Sequence, residues 1–315
     1  MREEVRRTII FHIGLEKTGT TSFQTFCTDN CAELVRHSVL YPANNFAFSK
    51  GSHGPLVACY FPKNAANQLM IPSSHRDKEA VLRSLTREIK RASTHTVLIS
   101  AEHFSSRFSA EQIQELAADF SDYDCQIAIV VRDHVSRALS AYSTTIASGR
   151  HLTLEAFVDE LCHQNNKYMR YKETIEQWER VFGRGNISII SYHEKHNIVE
   201  SLVRSVISPD IPTHRIAAYA ENKSLGASTL EALRVINEEL SEQLRSGASN
   251  HRFAYLLGRI RHAIRKAAIN RSRDQLQLAE DQLNRLTAIA EIDRRWLKDC
   301  YDVRLEPARG FPARC

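Results

Sequence analysis

An α/β fold built on a doubly wound parallel sheet is what this 315-residue sequence predicts. Three observations carry it. Short, nearly continuous apolar runs recur with helical patterns between them, as buried parallel strands require. The first of these runs passes through a glycine-rich, phosphate-sized loop straight into a helix. From Ser228 onward the pattern is helical to the end, which adds a helical C-terminal segment.

The elements follow in order. Residues 8–13, Thr-Ile-Ile-Phe-His-Ile, form the first strand, and the helix beginning near Thr20 keeps Phe23, Phe26, Cys27 and Leu34 on one face. Residues 39–42 read as a short strand. Residues 43–76, rich in Asn, Ser, Pro and Gly, read as an insertion, and so long an irregular stretch points to function. Val81, Leu85 and Ile89 mark a helix over 78–92, followed by a buried strand at 96–100. Ser109 with Gln112 is a capping box for a helix to about residue 120. A strand at 127–131 leads to helices near 133–148, 153–162 and 166–182, the last stopped by Gly183, and then to a strand at 187–191. Ser228 with Glu231 reads as another capping box, opening 229–244, and 251–269 and 274–301 carry further amphipathic stretches. The expected division is an α/β core over 1–225, with its 43–76 insertion, and a helical extension over 226–315 packed on that core.

Composition narrows the class. Hydrophobic residues at 43% and charged residues at 25% suit a soluble globular protein. A formal net charge of +5 is compatible with an anionic ligand and too small to imply nucleic acid. Seven cysteines without a C-x-x-C pair point to reduced structural thiols. Residues 1–7 are charged and the next apolar run is only a strand long, so neither a signal peptide nor a transmembrane segment is expected, and the location expected is cytoplasmic.

The chemistry starts in the loop. Gly14 and Gly19 allow backbone conformations and close approaches that a β-carbon would block, so successive N–H groups and the positive helix end can converge on one oxyanion. Lys17, Thr18, Thr20, Thr21 and Ser22 add a cation and hydroxyls. In the triphosphatase loop G-x-x-x-x-G-K-[ST] the lysine follows the second glycine; here Thr20 stands there and Lys17 precedes Gly19 by two. A second anion site is suggested by Arg132, at the end of an apolar strand, and Ser140, two turns into the following helix. A guanidinium fork suits a phosphate monoester, and a serine adds a donor without bulk.

Leu15-Glu16-Lys17-Thr18-Gly19-Thr20-Thr21-Ser22 resembles the 5′-phosphosulfate loop of sulfotransferases that use 3′-phosphoadenosine 5′-phosphosulfate (PAPS), in its bacterial wording, and Arg132 with Ser140 resembles their 3′-phosphate motif. The resemblance spans residues 8 to about 225. It implies a P-loop-like sulfotransferase fold, PAPS as co-substrate with no metal required, and a hydroxyl-bearing acceptor such as a saccharide or lipid-linked saccharide. It also implies that Lys17 stabilises the leaving phosphate, that Lys17, Thr18, Gly19, Thr20, Thr21 and Ser22 hold the 5′ end, and that Arg132 and Ser140 hold the 3′-phosphate. Family members use a histidine or a glutamate as base, and the strand at 96–100 delivers both Glu102 and His103 to the same edge of the sheet. Glu102 is preferred, His103 is the alternative and His53 a lesser one; a purely structural Glu102 remains open. Arg137 is either a third phosphate ligand or a surface cation. The 222–225 stretch, Asn-Lys-Ser-Leu, resembles a loop that closes over the 3′ end, whereas the R-K-G-x-x-G motif of the superfamily is absent. Trp178 and Phe182 echo the bacterial pattern but read as core. Seven cations between Arg252 and Arg273, with no acid until Asp274, read as a solvated face or as a landing strip for an anionic or sugar-rich acceptor. Two other classes stay open: a P-loop kinase or triphosphatase using Mg-ATP, with Glu102 as metal carboxylate, and a catalytically silent protein that kept the cofactor fold.

Overall fold

The structure, a computed structural model, describes residues 6–68, 77–164, 166–193, 196–212, 216, 219, 225–245, 251–268 and 274–306. The chain forms two compact units, each drawn from separate stretches of sequence. One comprises Met1–Arg132, Arg170–Glu221 and Asp293–Glu306; the other comprises Asp133–Met169, Asn222–Ile292 and Pro307–Cys315.

The first unit is built on five strands, β1 Thr8–His12, β2 Val39–Leu40, β3 Thr96–Ser100, β4 Asp124–Val131 and β5 Ile187–Ser191, in the order β2-β3-β1-β4-β5. Every pairing is parallel, and the register sets His12 beside Ser100 on one side and Ala128 on the other. The alternation of a strand covered on both faces is explicit. Val97, Ile99, Ile127, Ile129 and Val131 enter one apolar cluster with Leu85, Phe104, Leu116 and Trp178. Leu98, Ala128 and Val130 enter the other, with Phe23, Phe26, Cys27 and Leu34. The connection after β1 leads toward the β2 edge and those after β3 and β4 toward the β5 edge, so the carboxyl ends of β1, β3 and β4 flank the switch point where such sheets bind ligands. The expected doubly wound parallel sheet is present.

Several local expectations are met residue by residue. The Ser109–Gln112 capping box forms on helix Ala110–Asp119, and helix Tyr171–Phe182 stops at Gly183, φ +80°. Trp178 is buried and stacks on Phe182 at 5.8 Å, as core. Others are corrected. The expected 166–182 helix is a 3-10 turn, Lys167–Met169, followed by helix Tyr171–Phe182, whose first N–H groups, of Tyr171 and Lys172, donate to the Asp293 carboxylate at 2.8 and 2.9 Å. The 43–76 insertion contains helices Gly54–Ala58 and Lys63–Gln68 and contributes buried Ala47, Leu56 and Val57 to the core; its residues 69–76 lie outside the described residues. Helix His103–Arg107 was not anticipated.

The second unit gathers Val135, Tyr142, Ile146, Phe157, Leu230, Leu233 and Leu286 into its own apolar cluster. Ser228 and Glu231 do not form a capping box. Helix Ala227–Arg245 starts one residue before Ser228, whose N–H donates to Asp274 at 2.6 Å, while Glu231 pairs with Arg234 at 2.7 Å. The last helix begins at Glu280 and ends at Tyr301, later than the expected 274. Arg137 is neither surface cation nor exposed ligand: it is 1% exposed, with its guanidinium 4.0 Å above the Tyr168 ring and donating to the Tyr168 carbonyl. Among the described residues the six cysteines are free thiols, and no helix is long and apolar enough to cross a membrane.

Candidate active site

The loop after β1 has the shape of a cradle. Gly14 stands at φ +21° and Gly19 at φ +85°, Gly19 being the left-handed residue just before helix Thr20–Asp29. A β-carbon on Gly14 would meet Thr20 Oγ1 at 2.7 Å and His12 Nε2 at 3.3 Å. Both of those polar atoms are buried, and neither has a hydrogen-bond partner among the described residues. Two orphaned polar atoms therefore face the space that Gly14 leaves open, beside the positive end of a ten-residue helix. On Gly19 a β-carbon would overlap Ile198 Cγ2. Gly19→Ala combines a disfavoured φ with overpacking against Ile198 and is expected to cost about 2–4 kcal/mol of stability, measurable as a lowered urea midpoint with an unchanged slope.

Lys17 is itself strained. Its φ of +70° is one a lysine rarely adopts, and strain of this kind is a pointer to function. The loop is held from three sides. The Thr18 hydroxyl donates to the Leu15 carbonyl, so that donor is spent inside the loop. Arg132 Nη1 donates to the Lys17 carbonyl at 3.0 Å, and the guanidinium lies 4.3 Å above the Tyr192 ring. The Ser105 hydroxyl stands 2.6 Å from the Gly14 carbonyl and 2.9 Å from that of Glu102, tying the segment after β3 to the loop. Thr21 is exposed and Ser22 half-buried.

Glu102 and His103 follow β3 at the same edge. Burial pushes the Glu102 carboxyl up, Glu16 pushes further in the same direction, and Lys17 and Arg107 oppose; the result is about 7 rather than 4.5. Burial also lowers Lys17, with Arg132 adding to the lowering and the Glu102 and Glu16 carboxylates countering it. His103 is 9% exposed, its Nδ1 has no partner among the described residues, and burial and then Arg107 hold its pKa down. Glu16 pairs with Arg107 at 3.4 Å. One cluster thus joins Lys17, Glu102, Glu16, Arg107 and Arg132 electrostatically.

Two histidines are buried beneath the loop. His53 is not a loop-surface histidine: Ser100 N–H donates to its Nδ1 at 3.1 Å and its Nε2 donates to the Pro42 carbonyl at 2.9 Å, so both ring nitrogens are committed to backbone, and burial takes its pKa to about 4. His12 holds Ser100 Oγ at 2.8 Å through Nδ1, with Gln24 Nε2 on the same hydroxyl at 3.2 Å; burial takes its pKa to about 3, so the ring is neutral. Sequence reasoning places His12 in the strand and gives it no role; its signal is a polar side chain inside an apolar run, two residues before Gly14. Ser140 belongs to the second unit, half-buried on helix His134–Ala147, which Asp133 caps by accepting from Ser136 N–H at 3.1 Å. Asn222, Lys223 and Ser224 lie outside the described residues.

A family model of the sulfotransferase domain matches residues 7–208. Among solved structures, a sulfotransferase from Alicyclobacillus acidocaldarius is similar, with a TM-score of 0.47 at 17% sequence identity, the match covering 96% of this chain and 98% of that one. No curated protein matches.

Proposed function

Because the chain belongs to the sulfotransferase family, we propose that it transfers a sulfuryl group from PAPS to a hydroxyl of a saccharide or lipid-linked saccharide. The observation that most supports this is the Gly14 cradle, where buried Thr20 Oγ1 and His12 Nε2 await a partner. An oxyanion would satisfy both, and a loop without β-carbons at Gly14 and Gly19 admits it, so the residues fit the group. PAPS, when bound, supplies an activated sulfuryl group on a phosphate leaving group and a 3′-phosphate by which it can be held.

The loop N–H groups, with Thr20, Thr21, Ser22 and the Lys17 ammonium, bind the 5′ end, and Lys17 meets the negative charge that grows on the leaving oxygen. Arg132, already fixed by Tyr192 and the loop, binds the 3′-phosphate, with Ser140 assigned as its second donor from the sequence. Glu102 takes the acceptor's proton, its pKa of about 7 matching a base that works near neutrality; His103, with an unpartnered Nδ1, is the second choice. Lys17 and the helix end supply the positive charge, so no metal is needed in this reading. The transferase core is assigned to residues 1–225, which include Asp133–Met169 of the second unit, and the extension to 226–315, of which Asp293–Glu306 falls in the first unit; the free thiols among the described residues suit a cytoplasmic setting. The kinase reading is not favoured: Thr20 occupies the position where a triphosphatase loop carries its lysine.

Thermal unfolding tests the assignment, with a chelator present in the adenosine 3′,5′-bisphosphate sample and absent from the ATP–Mg²⁺ sample. Adenosine 3′,5′-bisphosphate at a hundredfold excess over its Kd is expected to stabilise the protein by about 2.7 kcal/mol without metal, and ATP with Mg²⁺ by less. The reverse ranking would return the protein to the kinase class.

A further inference from the structure

Helix His251–Ala268, in the second unit, has one face turned inward. Ile264 packs against that unit's apolar cluster. Arg261 reaches the carbonyl of Ala147 with Nη2 at 3.1 Å, and its Nη1 lies 3.3 Å from where a β-carbon on Gly149 would stand. The opposite face is open: Tyr255 is 69% exposed, Leu256 52% and Ile260 39%, with Arg259 exposed among them. At 100° per residue Arg259 falls between Tyr255 and the Leu256–Ile260 pair, and the seven-residue spacing places positions 252, 259 and 266 along one line of the helix, all basic. From Arg252 to Arg273 the sequence has seven cations and no carboxylate.

A face that mixes large apolar side chains with cations needs an occupant that accepts both. A second copy of the same face would set like charges against each other. A nucleic acid would engage the cations and leave Leu256 and Ile260 in water. A bilayer carrying anionic headgroups accepts both, because the apolar side chains enter the headgroup–acyl boundary while the Arg259 guanidinium stays at the phosphates. We infer that helix His251–Ala268 docks this protein peripherally on anionic lipid bilayers. The inference is independent of the transferase reading, since binding is read without turnover.

The test is co-sedimentation of the full chain with vesicles of phosphatidylcholine alone or with about one third phosphatidylglycerol. Binding is expected on the anionic vesicles, weak on the neutral ones, and reduced by salt. Arg259→Glu is expected to weaken binding between about fivefold and thirtyfold, from roughly 1 kcal/mol per charge at the surface. Leu256→Asn with Ile260→Asn is expected to weaken it by at least about tenfold through lost apolar burial. All three residues are exposed, so unchanged circular dichroism and melting temperature verify that the variants fold. Equal binding to neutral and anionic vesicles overturns the inference, as does no binding to either, or wild-type binding by both variants. Retention of a DNA duplex without vesicle binding makes the face a nucleic-acid surface, and a dimer lost on Leu256→Asn with Ile260→Asn makes it a self-association surface; either result also overturns it.

Discussion

Glu102→Gln is expected to lower the rate of transfer by roughly 10² to 10⁴ while leaving the affinity for adenosine 3′,5′-bisphosphate near the wild-type value. The amide keeps the shape of the side chain and removes only its capacity to take a proton. The pH dependence sharpens the test. With a pKa of about 7 in the fold, Glu102 is protonated at pH 5 and ionised at pH 8, so wild-type transfer should rise through neutrality. Stability should move the other way: the folded pKa is raised above the ordinary 4.5, so the carboxyl's contribution is full below about 4.5 and is lost as the pH rises through about 7. Glu102→Gln does not ionise, and the variant should therefore gain stability relative to wild type between pH 5 and pH 8. His103→Ala serves as the comparison. Should it abolish transfer while Glu102→Gln retains most of it, the base is the histidine.

The second large effect separates chemistry from binding. Lys17→Ala is expected to lower turnover about 10²- to 10³-fold, since the ammonium matters most as charge develops on the leaving oxygen. Arg132→Ala would remove the charge-assisted bonds assigned to the 3′-phosphate, together with its hold on the Lys17 carbonyl, so it should weaken binding of adenosine 3′,5′-bisphosphate by about 1.5–3 kcal/mol and lower turnover at saturation less than Lys17→Ala does. Lys17→Gly adds a control that a bystander lysine would fail. Its φ of +70° is relaxed by glycine, so this variant should be at least as stable as Lys17→Ala and equally slow. Equal losses of affinity alone from the Lys17 and Arg132 changes would contradict the roles assigned.

What the sequence shows and what it hides divide along one physical line. Strands β1, β3 and β4 are legible because burial on both faces leaves a nearly continuous apolar run, β5 at the sheet edge through Ile187, Ile189 and Ile190, and the Ser109 capping box because both its partners lie within one turn. The caps of helices Tyr171–Phe182 and Ala227–Arg245 were not, because Asp293 and Asp274 supply them from 122 and 46 residues away. Lys17 and Arg132 were legible as residue types. That Arg132 bonds the Lys17 carbonyl, or that Ser105 ties the Glu102 segment to Gly14, depends on adjacent strand ends and leaves no local pattern. The histidines show the same limit. His53, a lesser candidate base in the sequence, has both nitrogens occupied by the Ser100 and Pro42 backbone, and His12, a strand residue in the sequence, holds Nε2 buried beside the cradle; neither placement leaves a local pattern.

The most direct measurement incubates the purified chain with radiolabelled PAPS, a chelator and a panel of saccharide and lipid-linked saccharide acceptors, and follows labelled acceptor and adenosine 3′,5′-bisphosphate together. The account predicts that the two products rise in step without metal and that Lys17→Ala suppresses both. Absence of transfer to any hydroxyl acceptor, with Mg-ATP consumed in a parallel incubation that holds no chelator, would contradict it.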